Sequence, residues 1–515
     1  MTFKDLASLY KNPQEDFPIE KDQATIKVSA ATSAVGFIYE KIRVAVEFKS
    51  EHLLRRLAIE RILNRKVKLS SSKNEIGLFI VKELIRSRYL PNNKVPESKA
   101  LEISNALEKY FELIETYTPI FKKSRKDVVD WVISVASYDV EQRLSNPSKR
   151  DALVELMATL LSKESDYELL DLAIAGHFSL NKADTPIVRF LLLTHKYNFW
   201  SDNVSKNNLV LVSKDLETTI EDIEKNIQKV ERGSVLKFVR RQIAPFIVLI
   251  DLLKEDPSFS ENYDDEILLE TKVKNMCHLK YRQIRDRLKR MVFRSVIYIF
   301  LTKMLFALLL EIPLERFLYG SFSFRSIVIN LGFPPTLMYL VGMRTKLPGE
   351  KNTDLILERV KNIVFKDELG ITENERRVGK IKRRALSLVF RAFYFVVFVL
   401  SFGVVTYSLT VIGFSFIAIG IFLFFLSVVS FFAYVIKQST KDILLVRDDD
   451  GVIGSFFDLF FLPVLRVGQK LSGELAKYNV MVFLLDFVVE APLKSIIDVF
   501  DDWLDFVREK KEEVL

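Results

Sequence analysis

The stretch from Ala385 to Ile436 carries a single charged residue, Arg391, before Lys437 ends it. An α-helix rises 1.5 Å per residue, so the stretch would be about 78 Å long, whereas one membrane crossing needs about 20 apolar residues. This length predicts two crossings joined by a turn near Tyr407–Thr410. The chain is therefore predicted to be an integral membrane protein.

The remainder of the chain is too polar for a protein that lies wholly in a membrane. Its mean hydropathy is only +0.14, and 28% of the 515 residues are charged. From Val35 onward, apolar residues recur at steps of three and four with charges between them, which is typical of amphipathic helices. The segment Asn208–Ser213 is the one stretch that alternates like a short strand. We therefore predict an all-α fold with a cytosolic helical bundle, about four membrane segments and a C-terminal amphipathic helix.

The composition divides the chain into six predicted regions. Pro334 and Pro335 lack amide donors, so the second membrane segment is predicted to be kinked or re-entrant. The tail is predicted to hold an interfacial helix at Val452–Leu465 and an acidic amphipathic helix at Val480–Glu509. The regions are a flexible N-terminal arm (1–30), a cytosolic all-helical domain (31–290), a first membrane hairpin (291–343), a basic cytoplasmic loop (344–384), a transmembrane hairpin (385–436) and a cytoplasmic tail (437–515).

Basic residues gather where the chain is expected to enter and leave the membrane. Cytoplasmic loops are rich in Lys and Arg, which predicts a multi-pass protein of the cytoplasmic (inner) membrane with both termini in the cytoplasm. Bases beside a membrane also attract anionic lipid headgroups. Nucleic acid is not an expected partner, because no aromatic residues are interleaved with the bases. The predicted headgroup contacts are Arg282, Arg285, Arg287, Arg290, Arg383 and Arg384.

Two ionisable residues fall inside or beside the first predicted membrane segment. Lys303 lies about 13 Å along a helix from Arg294, and Glu311 follows about two turns later. A lone lysine at this depth costs about 2.5–3.5 kcal/mol unless it pairs or reaches the surface. Lys303 and Glu311 are the predicted intramembrane functional residues. The two side chains could approach each other only if the helix bends. Otherwise each would need a partner on another helix.

The sequence carries no recognisable catalytic or metal-binding motif. None of the four histidines is spaced for zinc, and the acids of Asp448–Asp450 lack the alternation of a calcium loop. The expectation is a protein without cofactor or metal that is more likely not an enzyme. The single cysteine, Cys277, excludes an internal disulfide.

Three functions are compatible with these features. The leading hypothesis is a membrane-anchored helical scaffold or adaptor whose cytosolic domain binds a protein partner. The first alternative is a small oligomeric channel or transporter that uses Lys303 and Glu311. The second is a membrane-bound enzyme that acts on a lipid-linked substrate. Small residues at Gly413–Gly420 are compatible with a homo-oligomer.

Overall fold

The structure is a computed structural model of the chain, and it describes most of its length. The described residues are 2–11, 24–29, 33–34, 36–37, 40–41, 43, 53–68, 75–117, 124–145, 148–201, 204–255, 259, 263–320, 323–345, 348–373, 387–439, 443–445, 452–477 and 499. Within these residues the regular structure is helical, apart from one isolated bridge between Thr25 and Pro96. The prediction of an all-α fold is confirmed.

The chain forms two compact units, and their division lies between Val239 and Arg240. This division follows the packing of the chain, and the predicted end of the cytosolic domain at residue 290 stays a prediction. Residue 290 lies within a helix of the second unit that begins at Glu266. Each unit is described separately below.

Unit 1 is a stack of amphipathic helices. Several helices that are adjacent in sequence pack on each other, and the helices that begin at Leu54 and Thr185 each also pack on the helix that begins at Arg125. Its helices are α1 (Phe3–Lys11), α2 (Leu54–Lys68), α3 (Ile76–Arg86), α4 (Glu97–Thr116), α5 (Arg125–Leu144), α6 (Ser148–Glu164), α7 (Leu169–Ser179), α8 (Thr185–Lys196), α9 (Lys206–Lys214) and α10 (Leu216–Arg232). A further helix, α11 (Ser234–Gln242), crosses the division between the units.

Two parts of unit 1 differ from the sequence-based predictions. The N-terminal arm is not wholly irregular, because α1 buries Phe3, Leu6 and Tyr10 and packs on α6. Helical spacing of these apolar residues supplies a buried face that the nearby prolines obscure. The predicted strand at 208–213 is part of α9, which begins where the Ser205 side chain accepts a hydrogen bond from the Asn208 amide. A serine N-cap of this kind favours a helix.

Unit 1 contains a buried histidine, and this burial makes the stability of the folded unit sensitive to acid. His177 is buried in α7, and burial lowers its pKa from the ordinary 6.5 to about 4. Asp151 Oδ1 lies 3.9 Å from Nδ1, which is too long for a hydrogen bond that would favour the charged ring. Below pH 6.5 the unfolded chain therefore binds a proton that the folded chain does not.

We expect α7 to lose stability as the pH falls from about 6.5 to about 4, and to be insensitive to pH above that window. The full loss is about 3 kcal/mol, since each unit of pKa difference corresponds to about 1.4 kcal/mol. Hydrogen–deuterium exchange of the α7 amides, corrected for intrinsic rates, measures it. His177→Gln should abolish the dependence, whereas substitution of the exposed His195 on α8 should leave it unchanged. Equal pH dependence in His177→Gln would contradict the assignment.

Three helices of unit 2 pack against one another. They are α12 (Ala244–Glu255), α13 (Glu266–Phe306) and α16 (Glu350–Lys366). Lys361 on α16 forms ion pairs with Glu266 and Glu270 of α13 at 3.0 and 3.1 Å. Asn352 Nδ2 donates to the Tyr281 hydroxyl at 2.9 Å. Within the predicted loop 344–384, residues 350–366 therefore form a helix that is fixed to the first half of α13, and residues 374–384 lie outside the described residues.

Four helices of unit 2 are long and apolar enough to cross a membrane. The second half of α13 continues through a π-helical turn (Ala307–Glu311) into α14 (Ile312–Tyr319), and the other three are α15 (Phe324–Arg344), α17 (Ser387–Ile412) and α18 (Phe416–Ser439). Their outer surfaces expose many large apolar side chains, including Phe317, Tyr407 and Phe416. An apolar surface of this extent is typical of lipid contact. The chain thus fits a multi-pass membrane protein with a helical soluble part.

Two details of these helices differ from the predictions. The second hairpin turns at Gly413 rather than at Tyr407–Thr410, and Gly413 has a φ of 91°, which glycine adopts without strain. Helix α15 runs unbroken through Pro334 and Pro335. Neighbouring helices and Ser or Thr side chains make proline tolerable in membrane helices. The Thr336 hydroxyl donates to the Gly332 carbonyl at 2.8 Å beside this pair.

A fifth long helix, α19 (Val452–Lys477), packs against both α17 and α18. The Ser401 hydroxyl, near the middle of α17, donates to the Phe460 carbonyl at 2.6 Å. Gly468 lies directly against the carbonyl of Ser427, near the middle of α18. An interfacial helix was predicted here, but α19 lies at the level of the midpoints of two membrane helices. The predicted acidic helix at 480–509 lies outside the described residues, except for Val499.

Candidate functional site

Polar side chains gather between the membrane helices of unit 2, and we name this group the intramembrane polar site. Lys303 and Glu311 are fully shielded from solvent, and Glu315 is 2% exposed. Ser326 and Asn330 are likewise buried. Such residues are costly in a membrane interior and are usually functional or paired. The site consists of Lys303, Glu311, Glu315, Ser326, Asn330 and Ser415.

The π-helical turn brings the two residues predicted from the sequence together. In a regular α-helix, eight residues turn about 800°, which would leave Glu311 about 80° away from Lys303. A π-bulge accommodates one extra residue in a turn, so Glu311 takes the angular position of a residue seven places on, about 20° from Lys303. Lys303 Nζ then lies 3.3 Å from Glu311 Oε2.

Pro313 explains why the helix is π-helical at this point. It occupies the first turn of α14, directly after the π-helical turn. Proline has no amide donor, and its ring clashes with the carbonyl four residues earlier in a regular α-helix. A wider turn over Ala307–Glu311 relieves this clash. The same residue that disturbs the helix thus aligns the ion pair.

The other neighbours of the ion pair come from α15 and α18. The Asn330 amide on α15 donates to Glu311 Oε1. The ring of Phe425 on α18 lies with its centroid 4.5 Å from Lys303 Nζ, within the range of a cation–π interaction. Three helices therefore enclose Lys303, and its depth of about 13 Å from Arg294 is near the middle of a 30 Å hydrocarbon core.

Glu315 forms a second polar contact one turn beyond Glu311. The Ser415 hydroxyl, at the start of α18, donates to Glu315 Oε1, and Ser415 Oγ accepts from the Ala418 amide at 3.2 Å. This contact joins the first hairpin to the second. Sequence reasoning did not single out Glu315, although its spacing of four residues from Glu311 on a helix was a signal for a shared face.

Glu315 and Ser326 lie on the two helices of the first hairpin, each one turn nearer to their connection than the contact between Glu311 and Asn330. Glu311 contacts Asn330, so the residues four places on in one helix and four places back in the other lie one turn further along the same interface. Three oxygens at this end have no hydrogen-bond partner among the described residues: Glu315 Oε2, Ser326 Oγ and Asn330 Oδ1.

Four of the six predicted headgroup contacts lie on one helix. Arg282, Arg285, Arg287 and Arg290 are all exposed along α13 just before its apolar half. Their helix is continuous with the membrane segment, so the charges are held on a rigid rod. Arg383 and Arg384 lie outside the described residues.

No family model, curated protein or solved structure matches the chain. Among the described residues, no group of three or more His, Cys, Asp or Glu side chains could hold a metal ion.

Proposed function

We propose that the protein is a membrane-anchored helical scaffold that binds a protein partner through unit 1. The observation that carries this proposal is an open groove of about 470 Å³ in unit 1, formed by α7, α8 and α10. Leu170, Leu192 and Ile223 line it, and polar side chains surround them. Its lining also includes His195, Lys196, Asp222, Lys225 and Asn226.

An apolar centre with a polar rim is the usual anatomy of a protein interface. The groove is bordered by helices, a setting in which an amphipathic helix of a partner can insert its apolar side chains. Lys196 and Lys225 are exposed at the rim, so the partner helix is expected to carry acidic residues beside its apolar ones.

The basic stretch of α13 supports the anchoring part of the proposal. Each base near an anionic membrane surface contributes about 1 kcal/mol of attraction. Arg290 lies about 6 Å from Arg294 along the helix, within a headgroup layer of about 5–8 Å, and Arg287 lies about 11 Å away, just outside that layer. Anionic headgroups are thus the proposed lipid partners, and the cytoplasm is the proposed location of both units' polar parts.

The test compares the groove with a matched surface elsewhere. The full-length protein carrying Lys196→Glu and Lys225→Glu should capture at least tenfold less of a stoichiometric partner than the wild type in a pull-down from detergent-solubilised membranes. Lys206→Glu with Lys214→Glu, on α9, is the control and should capture as much as the wild type. A partner that the groove variant captures equally well, or a wild type without any stoichiometric partner at several salt concentrations, would contradict the proposal.

A further inference from the structure

The formal charges of the intramembrane polar site do not balance. Lys303 supplies one positive charge, which Glu311 neutralises at 3.3 Å. Glu315 then remains as a carboxylate that is 2% exposed, with only a serine hydroxyl as donor. A buried charge is normally paired or coordinated, because removing it from water is costly. One more positive charge near Glu315 would balance the site.

The charged groups around Glu315 do not provide that charge. Lys303 lies three turns away on the same helical segment and is engaged by Glu311. Arg316 and Arg325 are exposed, and no ion pair joins either of them to Glu315 among the described residues. The apolar stretch of α18 carries no ionisable side chain between Phe416 and Ile436 other than Tyr434.

Serine side chains accept hydrogen bonds from backbone amides at the starts of α18 and α15. Ser415 accepts the Ala418 amide of α18, and Ser323 accepts the Ser326 amide of α15 at 3.4 Å. These caps use the first-turn donors that could otherwise have bound the carboxylate. Glu315 Oε2 consequently keeps no donor among the described residues.

Three buried oxygens of the first hairpin have no partner among the described residues: Glu315 Oε2, Ser326 Oγ and Asn330 Oδ1. Glu315 lies one helical turn beyond Glu311, and Ser326 lies one turn before Asn330, the residue that contacts Glu311. All three belong to residues that are at least nine-tenths buried. The amide of Asn330 already donates into the site, so its free oxygen is held there. An unpartnered polar group in hydrocarbon costs several kcal/mol.

We propose that Glu315, Ser326 and Asn330 bind a small monovalent cation between the two helices of the first hairpin. Carboxylate, hydroxyl and amide oxygens are the ligands that hard cations prefer. One cation restores neutrality, whereas a divalent ion would leave an excess positive charge. The bound ion would strengthen the connection between the hairpins that Ser415 makes with Glu315.

The experiment uses the full-length protein in detergent micelles at constant ionic strength, with sodium, potassium or choline chloride. We expect a saturable rise in melting temperature with sodium or potassium, but not with choline, which is too large to enter. Equilibrium binding of radiolabelled sodium, with potassium as the competitor, identifies which ion is preferred. Equal melting temperatures in all three salts together with no saturable binding would overturn the proposal.

Cation binding by substituted proteins tests which residues hold the ion. Glu315→Gln should reduce cation binding at least tenfold and remove the salt-specific stabilisation, and Ser326→Ala should weaken binding several-fold. Glu358→Gln, an exposed position on α16, is the matched control and should bind as the wild type does. Undiminished binding in both Glu315→Gln and Ser326→Ala would overturn the assignment. If Glu315→Gln does not fold, Ser326→Ala and the wild-type titration still decide.

Discussion

Replacing Lys303 by methionine is expected to destabilise the membrane region strongly, by about 3–5 kcal/mol. The substitution removes the positive charge and leaves the Glu311 carboxylate fully buried with only the Asn330 amide as donor. Breaking a buried ion pair from one side costs this much because the remaining charge is uncompensated. Glu311→Gln should be similarly harmful, since it leaves the lysine without its partner.

The double variant Lys303→Met, Glu311→Gln should recover most of the lost stability. Replacing both members of a buried pair by neutral groups of similar size is often neutral or stabilising. Unfolding of the full-length protein in mixed micelles gives the free energies, and the double-mutant cycle isolates the pair. Arg391→Met is the matched control, because Arg391 also lies in an apolar helix but is exposed. A Lys303→Met protein as stable as the Arg391→Met protein would contradict the pairing.

The sequence predicted which residues matter at this site better than it predicted how they meet. Lys303 and Glu311 are conspicuous because ionisable residues are rare in apolar segments. Their pairing depends on a π-helical turn, and regular helix geometry places them on different sides. Pro313 is visible in the sequence, but its effect depends on whether the chain widens or breaks there. Glu315 was missed because it lies near the end of the apolar segment, where acids are common.

The helices were predictable and their long-range packing was not. Helical periodicity predicted the all-α fold, but a run of four apolar residues at Leu209–Val212 fits strand and helix equally. The structure buries Leu209 and Val212, which are three residues apart, and exposes the two between them. The contacts of Lys361 with α13 join residues about 90 positions apart, which no local pattern encodes.

The C-terminal region illustrates the same limit. Val452–Leu465 is interrupted by Asp458 and Pro463, which favours an interfacial helix when the segment is considered alone. Its packing is decided by Gly468, whose small size lets two helices approach closely, and by the Ser401 hydroxyl. Neither residue is informative without knowledge of the helix opposite it.

Gly468→Ala is therefore expected to separate α19 from α18. A Cβ added at Gly468 would lie 2.0 Å from the Ser427 carbonyl oxygen and 2.8 Å from Phe431 Cβ. The first contact is with backbone, so no side-chain rotation relieves it. Overpacking costs about 1–3 kcal/mol and occasionally more, and here we expect the upper end of that range. The hydrogen bond from Ser401 to Phe460 would be lost with the packing.

The measurement is amide exchange of residues 459–471 in the full-length protein, together with its melting temperature in micelles. Both should show loosening of α19 in Gly468→Ala. Gly420→Ala on α18 and Gly403→Ala on α17 are matched controls, because a Cβ at either position meets nothing within 4 Å. Alanine is the better helix former by about 1 kcal/mol, so these two variants should be neutral or slightly stabilised. If all three alanine variants behave alike, α19 does not pack between the two helices at the level of their midpoints.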